Sequence, residues 1–152
     1  MPVLDLSSLT ASTRCTYPAP FDAPCAGRSA RLLSKAGGLT QFGANLVTLA
    51  PGAWSSQRHH HSAEDEIIYI ISGRPTFIDD DGERTLSPGD VTVHPRGDGN
   101  AHHMINHSQA DVTFLVIGAS NAEKDHVKYP DIDLDLPANG TKERAFVKKT
   151  AQ

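Results

Sequence analysis

Apolar and polar residues alternate over short stretches of this chain, and Gly, Pro, Asn and Asp interrupt them at near-even intervals. Strand side chains point alternately to two faces, so this pattern predicts short β-strands joined by turns. Phe42–Leu49 is strand-like and stops at Ala50-Pro51-Gly52. Residues 66–71, Glu-Ile-Ile-Tyr-Ile-Ile, are rich in β-branched side chains and close on Ser72-Gly73. Segments 76–78 and 83–86 flank Asp79-Asp80-Asp81-Gly82, a hairpin turn by composition. Ser87-Pro88-Gly89 breaks the chain before Val91–His94, and 102–106 is expected to pair with 112–117 across the loop 106–111. The alternation of acid with aliphatic at 131–136 predicts a half-buried strand with its carboxylates in water. No amphipathic helix, heptad or tandem repeat stands out, so the chain reads as all-β, a sandwich or barrel.

Composition narrows this picture. A chain of 152 residues is enough for one domain with a single core. Hydrophobic content of 38% and charged content of 21% fit an ordered protein rather than a disordered one. No apolar run approaches the roughly 18–20 residues a membrane helix needs. The opening Met1-Pro2-Val3-Leu4-Asp5 lacks a basic segment followed by an apolar one, so the cytoplasm is the expected compartment. A net charge of −4 without a basic stripe argues against nucleic acid as a partner. The basic cluster at 142–149 reads as a solvated tail or a last strand. Four prolines from Pro2 to Pro24 make residues 1–35 an extended N-terminal arm ahead of a single domain at 36–152. Cys15 and Cys25 both lie in that arm, and in a reducing compartment free thiols are expected over a disulfide.

Candidate chemistry is concentrated in two stretches. His59, His61 and Glu66 fall close together, and His102 follows, four positions before Asn106. If 59–61 is extended, His59 and His61 share a face and His60 points away. A strand at 66–71 then carries Glu66, Ile68 and Ile70 on one face and Ile67, Tyr69 and Ile71 on the other. Imidazole nitrogen with carboxylate oxygen suits divalent first-row metals without a thiolate, and Fe, Mn, Zn, Ni and Cu all stay open. Four protein ligands leave about two octahedral positions for water, dioxygen or a chelating organic molecule. A register slip of one residue would substitute His60 or His103 for His59 or His102. No Ser-His-Asp order, phosphate loop or dinucleotide fingerprint competes with this set.

These residues resemble the two sequence motifs of the cupin family. Gly52, His59, His61, Glu66 and Gly73 resemble the first, with one residue more than usual between Gly52 and His59. Gly89, Pro95, Gly97, His102 and Asn106 resemble the second, with two extra residues in the loop-like run after Gly97. Fifteen residues separate Gly73 from Gly89, similar to compact microbial cupins. The flanks 39–45 and 129–134 look like a poorly characterised group of small bacterial cupins, which brings no established reaction with it. The resemblance implies a double-stranded β-helix, a jelly-roll barrel whose mouth holds one divalent transition metal per subunit through His59, His61, Glu66 and His102. Its spacing argues against the register slip and favours Glu66 over Glu64 and Asp65, since Glu66 alone keeps six residues before Gly73. It also implies that the arm packs on the barrel or on a partner subunit, as in a homodimer. Asn106 and Asp90 read as turn-capping residues.

Ile68, Ile70 and Met104 share faces with these ligands, so the pocket is expected to be partly apolar. Gln41, Tyr69 and Arg74 are the candidate polar groups for orienting a substrate. The expected activity is that of a dioxygenase-like metalloenzyme acting on a small, polar, metal-chelating organic molecule, ahead of a metal-dependent isomerase or lyase. The alternative is a non-catalytic protein that binds or senses a sugar or organic acid.

Overall fold

Alternation along the chain becomes eleven short strands in the computed structural model, which describes residues 3–149; Met1 and Pro2 of the arm and residues 150–152 lie outside the described residues. In chain order they are β1 Arg28–Leu32, β2 Phe42–Leu49, β3 His60–His61, β4 Glu66–Ser72, β5 Thr76–Asp79 and β6 Gly82–Thr85. They continue with β7 Val91–His94, β8 His103–Ile105, β9 Val112–Ala119, β10 Val127–Lys128 and β11 Asp135–Leu136. A four-residue helix, Leu33–Ala36, links β1 to β2. The strands form a five-stranded sheet in the order β1-β2-β9-β4-β7 and two three-stranded sheets, β11-β10-β3 and β6-β5-β8. Every pairing between these strands is antiparallel, and most neighbours are distant in sequence. Such crossovers between facing sheets make a jelly-roll double-stranded β-helix. Among the described residues no helix is long and apolar enough to cross a membrane.

Register decides which side chains meet. Directly paired residues share a face, so Val47 and Leu49 of β2 point inward with Phe114 and Val112 of β9. Ile70 and Ile68 of β4 follow, paired with Phe114 and Val116. Met104 and Phe77 of the β6-β5-β8 sheet complete this core. Burying each such aliphatic side chain contributes about 1.5–3 kcal/mol. Gly73 ends β4 with a φ of +80°, and a Cβ there would sit 2.6 Å from the Asp111 carbonyl oxygen. Only glycine satisfies both the left-handed turn and the close approach of β4 to the loop before β9.

Some elements differ from the pattern-based expectation. Strand β8 does not pair with β9. It pairs with β5, while β9 lies between β2 and β4. Sequence proximity suggests a hairpin, but β9 finds an eight-residue partner in β2. Loop 106–111 therefore passes from one sheet to the other. Asn106 pins that corner, fully buried, with its amide donating to Leu49 O (2.9 Å) and Ala110 O (2.8 Å). Asp90 caps its turn as read, accepting from Ser87 N at 2.7 Å. The hairpin at 79–82 forms, with Asp79 opposite Gly82, so β6 starts one residue earlier than the segment 83–86. Of 131–136 only Asp135–Leu136 is strand; Leu134 is buried beside Val127 and Tyr129 instead. Sheet pairing begins at Arg28, within the segment read as the arm. The rest of the arm lies along the barrel: Ser12 bridges Ala30, and Arg31 Nε donates to Leu9 O at 3.0 Å. The basic C-terminal segment folds back too, Val147 bridging Asp135 and Phe146 packing among Tyr17 and Tyr129.

Candidate functional site

The apolar inner face turns polar at one end. Glu66 opens β4 on the inner side and pairs directly with Gly118, which pairs with Gly43. Two neighbouring inward positions thus carry no side chain. A Cβ at Gly118 would come 4.0 Å from Glu66 Oε2, so the missing side chains leave space beside the carboxylate. His59 and His102 meet this end from the opposite side, hydrogen-bonded backbone to backbone at 3.2 and 2.9 Å. His102 Nε2 donates to Glu66 Oε1 at 3.1 Å. The His59 ring lies 5.0 Å from that of His61 and 5.1 Å from that of His102, centroid to centroid. A cavity of about 380 Å³ opens over His59, Glu66 and His102, with Ile68, Met104 and Phe114 among its apolar walls; His61 is not in the lining. Ile70 lies deeper, in the core.

Hydrogen bonds set the tautomers. His59 Nδ1 donates to Gln57 O at 2.8 Å, and His61 Nδ1 donates to Asp125 Oδ2 at 2.7 Å. When neutral, each imidazole so held has its lone pair on Nε2, the form that ligates metals. Burial, followed by the neighbouring His61 and His102, pushes His59 down to about 3, so it is neutral at ordinary pH. Burial alone would raise Glu66, but the His102 bond and the surrounding imidazoles outweigh it and hold the carboxyl well below its usual range. His61 is pulled down by burial and up by Asp125, and the ion pair wins. Asp125 is fully buried and also accepts from Ala63 N at 2.9 Å, while Arg144 Nη1 lies 3.4 Å away. His102 Nδ1 is buried without any partner.

His59, Glu66 and His102 line the cavity, and with His61 nearby they offer the nitrogen and oxygen donors that a divalent first-row metal takes. The donor atoms that do lie within 4.8 Å of one another fall into two groups that divide this set and leave His59 outside both: Glu66, His94 and His102, and separately His61, Glu64 and Asp125. His94 has no counterpart in the sequence reading. It stands opposite Glu66 in β7, stacks on His102 with ring centroids 3.4 Å apart, and is pushed down to about 4 by burial and then by His102. Its signal was the cross-strand register, which sequence alone does not give. Asp125 was missed as well, since it lies in an irregular segment that matches no motif.

The remaining candidates are dispersed. Gln41, Tyr69 and Arg74 are exposed, and none lines the cavity. Tyr69 sits on the outer face of β4, opposite in direction to Glu66. His60 is half-buried and paired with Lys128. His103, which a register slip would have made a ligand, is buried: its ring meets Trp54 edge-on at 4.9 Å and Nδ1 donates to Ser56 O at 3.0 Å. Residues 13–17 of the arm close one side of the cavity, where Tyr17 packs against Tyr129 at 5.7 Å.

Comparison with known proteins agrees with this architecture. The family model described as "Cupin domain" matches residues 45–118, which span both histidine motifs. A protein of Silicibacter pomeroyi, described as a sugar phosphate isomerase from a cupin superfamily, shares 40% identity and superposes with a TM-score of 0.90; the match covers 97% of this chain and 93% of that one. A candidate sugar phosphate isomerase of Acidithiobacillus ferrooxidans shares 30% identity over 80% of this chain and 76% of its own, at a TM-score of 0.73. A polyketide cyclase of Streptomyces resistomycificus, 18% identical over 80% of each chain at a TM-score of 0.66, speaks to the fold alone. No curated protein matches the sequence. The motifs, the jelly-roll and the 40% identity along nearly the whole length carry one conclusion: this chain is a small bacterial member of the cupin superfamily.

Proposed function

We propose that this cupin is a metal-dependent isomerase of a small sugar phosphate, with one divalent metal held by His59, His61, Glu66 and His102. The observation that carries the reading is the polar end of the inner face, where His59, His102 and Glu66 converge on a cavity in a chain 40% identical to a sugar phosphate isomerase. Isomerase chemistry ranks here ahead of the dioxygenase-like chemistry first expected from the sequence because two relatives at 30% identity or more are described as a sugar phosphate isomerase and a candidate one.

A divalent metal bound there would supply Lewis-acid polarisation to adjacent carbonyl and hydroxyl oxygens of a substrate. The chain's own residues prepare that end for it. His59 is neutral and Glu66 ionised at neutral pH, so both offer lone pairs without first losing a proton. Asp125 fixes the His61 ring through Nδ1. Ile68, Met104 and Phe114 keep water from the reacting carbons. Tyr129, whose ring lies 5.9 Å from that of His59, is pushed up to about 12 by burial and stays a proton donor toward a substrate oxygen.

The test is metal analysis followed by NMR in deuterated water with a panel of aldose and ketose phosphates. Exchange of the proton on the carbon beside the carbonyl, with interconversion of the two sugars, is the expected result. Oxygen consumption without exchange would replace the isomerase by a dioxygenase. Thermal stabilisation by a sugar phosphate without any turnover would replace it by a binding protein.

A further inference from the structure

We propose that Arg28 and Arg14 form an anion subsite that receives the phosphate end of the substrate; this rests on the sugar phosphate reading above. Arg28 pairs with Leu49 and stands two residues from buried Ala30 on the same strand, so it points to the inner side of the sheet. It is half-buried and lines the cavity that also opens over His59, Glu66 and His102. Arg14 reaches the same cavity from the arm. Ser12 bridges Ala30 in the antiparallel sense, two residues along the chain from each arginine.

Two guanidinium groups that border one cavity repel each other unless an anion lies between them. Among the described residues no carboxylate takes that place. None of the ion pairs among the described residues involves Arg14 or Arg28, and neither guanidinium meets a hydrogen-bond acceptor there. Glu66 is the sole carboxylate in the lining, and it belongs to the metal end. The cavity is therefore cationic along the arm although the whole chain carries −4. Guanidinium forks match the oxygens of a phosphate monoester in pairs, and the hydroxyls of Thr13 and Thr16 line the same wall.

The two ends also stand apart along the sheet. Glu66 is level with Gly43 at the start of β2, whereas Arg28 is level with Leu49 at its end. The ligand class that fits is an elongated one, with a carbonyl or hydroxyl pair at the histidine end and a phosphate at the arm. The arm thus helps to select the substrate as well as cover the barrel.

The experiment is calorimetric titration of the metal-loaded protein with inorganic phosphate, comparing wild type with Arg28→Gln, Arg14→Gln, Arg28→Lys and the double glutamine variant. Expected are a tenfold or greater loss for Arg28→Gln, a further loss in the double variant, partial retention in Arg28→Lys, and unchanged metal content. Should Arg28→Gln fail to fold, Arg14→Gln and Arg28→Lys still read the subsite. No phosphate binding by wild type, or equal binding by the double variant, overturns the proposal; the latter would place phosphate on the metal. Arginine-dependent binding without isomerisation of any sugar phosphate supports the subsite and overturns the isomerase reading instead.

Discussion

Side chains alternate along the same strands to build two faces of the five-stranded sheet, yet the faces have opposite fates. On the inner side Val47, Leu49, Ile70 and Val112 are all 0% exposed. On the outer side Ile67 is 41%, Tyr69 46%, Val91 51% and Val93 65% exposed. Both faces are apolar, so hydrophobicity did not choose between them. The opposing sheets did, by covering one face and leaving the other open. The inner face also carries, at its end, Glu66 and His94, which meet His102 from the opposite side. What distinguishes the faces is packing on one side and a patch suited to association on the other.

Ways to break this contrast can be ranked by expected effect. Ile70→Ala should cost about 2–5 kcal/mol in urea unfolding, whereas Ile67→Ala should stay within roughly 0.5 kcal/mol. Equal costs would mean that the faces are misassigned. At the polar end, His102→Ala should lower metal affinity at least about a hundredfold in a competition assay, while His60→Ala keeps it. Matching losses in both would sink the ligand register. Acidification should weaken the metal-free protein. Burial lowers His59 to about 3 and His94 to about 4, so below about pH 6.5 the unfolded chain takes up protons first. Stability should then fall with pH by about 1.4 kcal/mol per unit for each extra proton on the unfolded chain, and these two groups contribute nothing above neutrality. A flat urea midpoint from pH 7.5 to 5 would contradict that.

Two smaller effects sharpen the comparison. Asp125→Asn should reduce metal affinity about ten- to hundredfold while the fold persists, because His61 loses the partner that sets its tautomer. Metal binding as tight as wild type would leave Asp125 a purely structural residue. On the outer face, Val91 and Val93 are the exposed residues against which the homodimer expected from the sequence can be tested. Val93→Glu should then convert a dimer to a monomer in sedimentation velocity with a shift of less than about 0.5 kcal/mol in monomer stability. A wild type that sediments as a monomer ends that use of the face.

Much of the fold was legible, because turn chemistry and strand alternation are local. Gly73, the Asp79–Gly82 hairpin and the strand Phe42–Leu49 all fall where the pattern puts them. The run at 66–71 shows the limit. With five apolar residues in six it names neither face, and only Glu66 marks the inner one. Pairing of β8 with β5 rather than β9 was hidden because partner choice depends on faces brought together over long separations. The candidate site was legible in part for the same reason. His59, His61, Glu66 and His102 lie on regular spacings, whereas His94, Asp125 and the arm residues enter only through contacts across sheets or from irregular chain.

Sequence by itself determined the all-β class and the main turns, which follow from spacing within one strand or loop, and it pointed to His59, His61, Glu66 and His102 as candidate metal ligands. Tertiary structure decided the rest: which apolar face is buried, which imidazole stacks on His102, which carboxylate orients His61 and which arginines border the cavity. Those outcomes depend on register between strands far apart in the chain, and register is set by the packing of whole faces rather than by any short stretch of residues.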